Sequence, residues 1–149
     1  MATTATLPNQ AGSLNPAASL TVPLVFLGRL LFSLIFLMAA LNHFKGQTIA
    51  YVAAQGVPMA SLLVPISGVI SLAGGLSILL GYRARLGGWL IVLFLLAVTP
   101  AMHKFWSVTD PMMYQIQFIM FMKNLSMLGG ALLISQFGSG PWSLDSAKK

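Results

Sequence analysis

The stretch ASLLVPISGVISLAGGLSILL, residues 60–80, decides the fold of this chain. It contains no Asp, Glu, Lys or Arg, and it has about the 20 residues that an α-helix needs to cross roughly 30 Å of hydrocarbon. The strands of membrane β-barrels are shorter, and their apolar residues alternate with polar ones. The stretch therefore predicts a transmembrane helix, with bounds at Ala60 and Leu80.

Three further apolar segments predict helices of the same kind, at Val22–Leu41, Leu86–Met102 and Tyr114–Phe137. The whole chain has 149 residues, of which 57% are hydrophobic and only 7% charged. Soluble domains carry about 25% charged residues, so this chain cannot cover a water-exposed surface. Four helical spans with short connections predict an all-α fold, an integral membrane four-helix up-down bundle.

The chain divides into one membrane domain and two tails. Residues 1–20 are small and polar without periodicity, which predicts a flexible N-terminal tail, and no Lys or Arg precedes the first span as a secretory signal would require. The bundle is expected to occupy residues 21–137. Residues 138–149 are expected to form a C-terminal tail.

The net charge of +6 does not indicate nucleic-acid binding, because the basic residues lie at segment ends and form no stripe. Their distribution instead predicts the membrane orientation, since Lys and Arg accumulate in cytoplasmic loops. One side would carry Arg83, Arg85, Lys148 and Lys149, and the other only Lys45 and Lys104. Both termini and the 81–85 turn are therefore expected on the cytoplasmic side.

The inventory of reactive side chains excludes several kinds of site. The chain has no cysteine, which rules out disulfides, thiolate metal sites and a dithiol relay. Its two histidines and two aspartates, Asp110 and Asp145, cannot build a carboxylate-rich metal site, and two histidines alone do not make one. No phosphate-binding glycine loop and no nucleophile–base–acid set is present. No catalytic residue is assigned, and enzymatic activity is left open.

Two cations fall within predicted spans, Arg29 in the first and Lys123 in the fourth. A Lys or Arg at the centre of a membrane helix costs roughly 2.5–3.5 kcal/mol. Lys123 is about 15 Å from either interface, too far for its side chain to reach water. No span contains a carboxylate, so both cations are expected to face the bundle interior. There they would meet backbone carbonyls, Asn124 or Gln oxygens, water, or a ligand with oxygen acceptors.

His43 and His103 end the first and third spans on the same predicted side. Histidines at such positions either anchor the helix at the interface or take part in binding. Together with Arg29, Lys123 and Asn124 they form the candidate cofactor-binding set. The alternative is a polar network that fixes the register of the helices.

Small residues recur on one face of the second span, at Ser67, Ser71, Gly74 and Gly75. Glycine pairs also stand at 87–88 and 129–130. Small side chains let membrane helices approach closely, so these positions predict helix packing rather than a binding site.

The chain resembles the DoxX family of small four-span membrane proteins. The resemblance is carried by GRLLFSLIFLMAALNHFKG (28–46), GVPMASLLVPISGVISLAGGLSILLGYRARLGG (56–88), LFLLAVTPAMHKFW (93–106) and KNLSMLGGALLISQFGSGPWSLD (123–145). Family members often have a Glu where this chain has Ser71. The resemblance implies a bacterial-type plasma membrane protein whose relatives are linked to quinone-dependent oxidoreductases.

The leading hypothesis is an accessory subunit of a membrane oxidoreductase system that helps to bind quinone. Arg29 and Lys123 would polarise the quinone oxygens, and His43 or His103 would hydrogen-bond or carry a proton. Other membrane subunits would have to supply the electrons. One alternative is a non-enzymatic scaffold or assembly protein for other membrane complexes. A weaker one is a small-anion carrier, given two buried cations.

Overall fold

The computed structural model describes the backbone of residues 16–148 and the side chains of residues 21–147. Five α-helices follow one another in this range: α1 (Pro16–Asn42), α2 (Gly46–Ala54), α3 (Ala60–Leu80), α4 (Ala84–Met102) and α5 (Pro111–Phe137). Within the described residues no β-strand occurs, and α1, α3, α4 and α5 are long and apolar enough to cross a membrane. The predicted all-α membrane fold with four spans is confirmed.

The helix bounds follow the predicted spans closely, and those of α3 coincide with them. α5 begins three residues early, at Pro111, because the Asp110 carboxylate caps it by accepting a hydrogen bond of 2.8 Å from the Met113 amide. α1 begins at Pro16, within the segment expected to be a tail. Residues 1–15 of that expected tail lie outside the described residues.

The connection between the first two spans contains a helix that was not predicted, α2. It has nine residues, none of them buried, and it packs against α3. The Lys104 ammonium donates a hydrogen bond of 3.1 Å to the Gln55 carbonyl just after α2, linking this connection to the loop after α4. The two connections at this end of the bundle are therefore folded and are linked to each other by a hydrogen bond.

The four long helices pack in chain order, α1 against α3, α3 against α4, and α4 against α5. The buried core between them is formed by Phe36, Ile78, Ile91, Val92, Phe94, Leu95 and Ala131. α1 approaches α5 where the Phe32 ring lies over Gly130, and a Cβ at that glycine would come within 2.9 Å of the ring. We call the side with the α3–α4 turn and residues 138–147 the Arg29 end, and the side with α2 and residues 103–110 the His43 end.

Small residues stand at the helix contacts, as predicted, except that Gly129 of the 129–130 pair is exposed and a Cβ there would meet nothing within 4 Å. The Ser71 hydroxyl is buried against α1 and donates a hydrogen bond of 3.0 Å to the Phe36 carbonyl. A Cβ on Gly74 would come within 3.2 Å of the Gly87 carbonyl oxygen, so α3 and α4 approach through two glycines. These contacts bring the backbones close enough for dispersion forces and hydrogen bonds to hold helices together in lipid.

The glycines of the bundle offer a test of this packing. A Cβ on Gly88 would lie 2.8 Å from the Ser135 amide nitrogen and 2.9 Å from the Ala131 carbonyl oxygen, which are backbone atoms of α5. We expect Gly88→Ala to destabilise the protein by about 1–3 kcal/mol, as overpacking does. The measurement is the midpoint of thermal unfolding in detergent.

The matched control is Gly129→Ala, because a Cβ there would meet nothing within 4 Å. Replacing a helical glycine with alanine in open space stabilises a helix by roughly 0.5–1 kcal/mol. Equal midpoints for the two variants would contradict the close α4–α5 contact.

Candidate functional site

Arg29 is buried on α1, with only 5% of its surface exposed. Its Nη1 donates a hydrogen bond of 3.0 Å to the Ser139 carbonyl oxygen, and its Nη2 donates another to the Trp142 carbonyl oxygen. The guanidinium also lies 5.8 Å from the centre of the Phe26 ring. Backbone carbonyls of the segment after α5 therefore serve as the acceptors that a buried arginine requires.

The segment after α5, residues 138–147, folds back onto the turn between α3 and α4. The Leu144 amide donates to the Leu80 carbonyl at 3.1 Å, and the Asp145 amide donates to the Gly81 carbonyl at 2.9 Å. The Asp145 carboxylate accepts hydrogen bonds from the amides of Arg83 at 2.9 Å and Ala84 at 3.2 Å. It thereby caps the N-terminus of α4, where the helix dipole favours a negative charge.

Residues 138–147, part of the expected C-terminal tail, fill the space beside Arg29 and the α3–α4 turn. Gly81 has a positive φ of 64°, and a Cβ there would overlap both Ser143 and the Arg29 guanidinium. Asp145 adds a favourable charge interaction with Arg29. Arg29 thus has its counterparts within the chain, as the polar-network alternative predicts.

The sequence pattern could not predict the partners of Arg29, because two of them are backbone carbonyls. Only Asp145 carried a side-chain signal, as the one acid after the last span. Two buried polar atoms at this end, Arg29 Nε and Ser33 Oγ, have no hydrogen-bond partner among the described residues.

His43 follows α1 at the opposite end of the bundle and lines a cavity of about 280 Å³. Its Nδ1 lies 2.8 Å from the Ala39 carbonyl oxygen, which can only accept, so Nδ1 carries the proton of the neutral ring. Nε2 is then an acceptor, and it makes no hydrogen bond within the described residues. The ring packs edge-on against Phe94, with 5.7 Å between the two ring centres.

The wall of this cavity is almost entirely apolar. It is formed by His43, Val52, Val57, Leu63, Val64, Ile66, Ser67, Ile70, Leu93, Phe94, Ala97, Val98, Ala101 and Met102. The Ser67 hydroxyl donates a hydrogen bond of 2.7 Å to the Val64 carbonyl, so its oxygen offers only acceptor capacity to the cavity. Both polar side chains of the wall therefore favour a hydrogen-bond donor.

His103 is at the same end but does not line the cavity. It caps the C-terminus of α4, and its Nδ1 lies 2.9 Å from Oε1 of Gln117 on α5. Gln117 lies seven residues before the buried Asn124, on the side of α5 that packs against α4. His103 therefore joins α4 to α5, and the structure does not bring the two histidines into one site.

Lys123 does not face the bundle interior, and this expectation was wrong. Its side chain is exposed on α5, and within the described residues its ammonium makes one polar contact, a hydrogen bond of 3.1 Å to the Met120 sulfur. The neighbouring Asn124 is buried instead, because successive residues of a helix point about 100° apart and the α4-facing side passes through position 124. Arg29 and Lys123 are therefore not a buried pair.

The hydrogen bonds of Arg29 predict that it anchors residues 138–147. We expect Arg29→Met to release this segment, at a cost on the order of 3 kcal/mol for two charge-assisted hydrogen bonds. The measurement is the rate of thermolysin cleavage within residues 138–147 of the protein in detergent, which should rise.

Ser33→Ala is the matched control, because it changes a buried hydroxyl one turn away that has no partner among the described residues. Removing such a group is close to neutral, so cleavage should stay slow. Unchanged protection of the segment in Arg29→Met would show that Arg29 does not hold it.

Comparison with known proteins corrects the family assignment. The model of the SURF4 family matches residues 3–149. Inner membrane protein YqjF of Escherichia coli K12 is 30% identical over 123 residues, covering 81% of this chain and 88% of that protein. Inner membrane protein YphA of the same organism is 30% identical over 124 residues, covering 82% and 88%. No solved structure matches the chain significantly.

The resemblance to the DoxX family is therefore wrong. The four segments that carry the resemblance consist mostly of hydrophobic residues and glycine pairs, which any closely packed membrane bundle requires. The idea that Ser71 replaces a family Glu loses its basis too, since Ser71 is a buried packing residue bonded to α1. With the match over nearly its whole length, the chain belongs to the SURF4 family.

Proposed function

We propose that this membrane protein binds a lipophilic small molecule that presents a hydrogen-bond donor, in the cavity at the His43 end. The observation that carries the proposal is the combination of an apolar wall with the acceptor Nε2 of His43. Ligand sites in proteins are commonly mostly apolar cavities with a few polar groups that fix orientation. A hydroxyl of the ligand would donate to His43, and its apolar body would fill the space beside Phe94.

The size and position of the cavity restrict the ligand. Its volume of about 280 Å³ is at the lower end of ligand pockets and fits a ring or part of a chain rather than a whole lipid. Four of its wall residues, Leu63, Ile66, Leu93 and Ala97, are exposed on the outer surface of α3 and α4. A long apolar substituent would leave the cavity between these helices and continue in the hydrocarbon.

A reduced quinone belongs to this class, because its hydroxyls donate hydrogen bonds. The quinone hypothesis now rests on His43 alone among the five candidate residues. Arg29 is bonded to the segment after α5 and Lys123 is exposed, so neither is placed to polarise a quinone in this cavity. If the ligand is a quinol, the protein would act as an accessory subunit of a membrane oxidoreductase. The other subunits would then supply the electron carriers.

A scaffold or assembly role is the second candidate, and a different observation favours it. Lys123 lies exposed near the middle of α5, where a single chain in lipid would leave its charge without a partner. A small-anion carrier has no comparable support, because the two cations that suggested it do not share a site.

For the location we propose the bacterial inner membrane, with both termini cytoplasmic. YqjF and YphA are named as inner membrane proteins, and Arg83 and Arg85 lie at the Arg29 end, which makes that end the cytoplasmic one.

Since the chain has no cysteine, single introduced cysteines can report the orientation. In intact cells, a membrane-impermeant maleimide should label Gln47→Cys and should reach Ala147→Cys only after permeabilisation. The opposite labelling pattern would reverse the orientation.

Ligand binding can be tested with an alkylphenol that carries a photoactivatable diazirine on its chain. Its methyl ether is the matched probe, because it has the same apolar body without the donor. In vesicles we expect the phenol to label cavity residues such as Ile70 and Val98 of the purified protein. We expect His43→Phe, which keeps a ring but removes the acceptor, to lower labelling about tenfold, as loss of ~1.4 kcal/mol would.

Two controls separate the cavity from its surroundings. Ala101→Phe, at a half-buried position of the wall, should fill the cavity and abolish labelling, whereas His103→Phe changes the histidine outside it and should leave labelling intact. Equal labelling by the phenol and the ether would contradict the role of His43. A short-chain ubiquinol that does not compete would remove the quinol version of the proposal and leave the wider ligand class.

A further inference from the structure

We infer that the exposed side of α5 at Lys123 docks a transmembrane helix of a different membrane protein, and that this helix carries an Asp or Glu within its apolar span. The site is separate from the cavity at His43, so the inference goes beyond the proposed ligand binding. It rests on the depth of Lys123, on the chain's own acids, and on the shape of the α5 surface.

Lys123 lies too deep for its charge to reach water or lipid phosphate. α5 has 27 residues and is therefore about 40 Å long at roughly 1.5 Å per residue. Lys123 is close to its midpoint, and the side chain extends only about 6 Å along the helix when it snorkels. Its ammonium therefore remains within the hydrocarbon on the outside of the bundle.

The described part of the chain supplies no carboxylate for this ammonium. Its contact is the Met120 thioether, a weak acceptor. The chain has two acids, and both are engaged at helix ends: Asp110 caps α5, and Asp145 caps α4 at the Arg29 end. A charge at this depth is usually paired or functional, so its counterpart must come from outside the chain.

The surface around Lys123 suits a second helix. Ile116, Ile119 and Ser126 lie on the same side of α5 as Lys123, and all are exposed. Gly130, which also lies on this side, is covered by the Phe32 ring of α1, so the part of the side open to a second helix runs from Ile116 to Ser126.

A second copy of this chain does not fit the site. In a twofold dimer both copies have the same orientation in the membrane, so two Lys123 ammoniums would meet at the same depth and repel. A helix with a carboxylate at that depth would neutralise Lys123 and have its own buried charge neutralised in turn. Charge complementarity therefore selects a different protein over self-association.

The test uses the full-length protein in zwitterionic phospholipid vesicles, with a donor dye on an introduced Ala147→Cys. The probe is a synthetic apolar transmembrane peptide with one central Glu and an acceptor dye. Its matched control carries Gln at that position. We expect energy transfer to show at least tenfold tighter binding of the Glu peptide than of the Gln peptide. In Lys123→Met this preference should disappear, and in Lys123→Glu a peptide with central Lys should be preferred instead.

Lys45→Met is the matched control variant, because it removes a lysine outside the spans and should keep the preference for Glu. Equal binding of the Glu and Gln peptides to the wild-type protein would overturn the inference, as would a preference that survives in Lys123→Met. Transfer between two labelled copies that depends on Lys123 would assign the site to self-association and overturn it too. If anionic phospholipid, without the Glu peptide, bound to the protein in a way that depends on Lys123, the partner would be lipid phosphate. This outcome would also overturn the inference.

Discussion

The absence of hydrogen-bond partners in hydrocarbon is the constraint on which this structure depends. Each polar group of a membrane helix needs a partner from the protein, since the surrounding lipid offers none. Ser71 meets this demand at the Phe36 carbonyl, His103 at Gln117, and Arg29 at two carbonyls after α5. The same bonds join α3 to α1, α5 to α4, and residues 138–147 to the bundle, so satisfying polar groups also fixes the fold.

The two ends of the bundle meet this demand to different degrees. At the Arg29 end the chain closes on itself, because Asp145 caps α4 while the neighbouring carbonyls bind Arg29. At the His43 end one imidazole nitrogen is bonded within the chain, the other has no hydrogen bond within the described residues, and the residue lines an apolar cavity. At the Arg29 end the bonds to Arg29 and Asp145 hold residues 138–147 on the bundle, although Arg29 Nε and Ser33 Oγ have no partner among the described residues.

The sequence predicted the spans well, because length and apolar composition determine what can cross a bilayer. It could not predict which way Lys123 points. α5 is apolar on nearly all sides, so its pattern holds little information about the face that packs on α4, and a rotation of one residue exchanges Lys123 with Asn124. Partners made of backbone, such as the carbonyls at Arg29, leave no trace in side-chain patterns. The mistaken DoxX resemblance has a related cause, since packing glycines are common to unrelated bundles.

The bond between Arg29 and the Ser139 carbonyl also has a consequence for how the protein is made. The two residues are 110 positions apart, so a ribosome delivers the arginine long before its acceptor. Until the residues after α5 have been made, the Arg29 guanidinium lacks both of its carbonyl acceptors. A chain that ends before residue 139 therefore leaves this charge in the bundle without the bonds that hold it in the full-length protein.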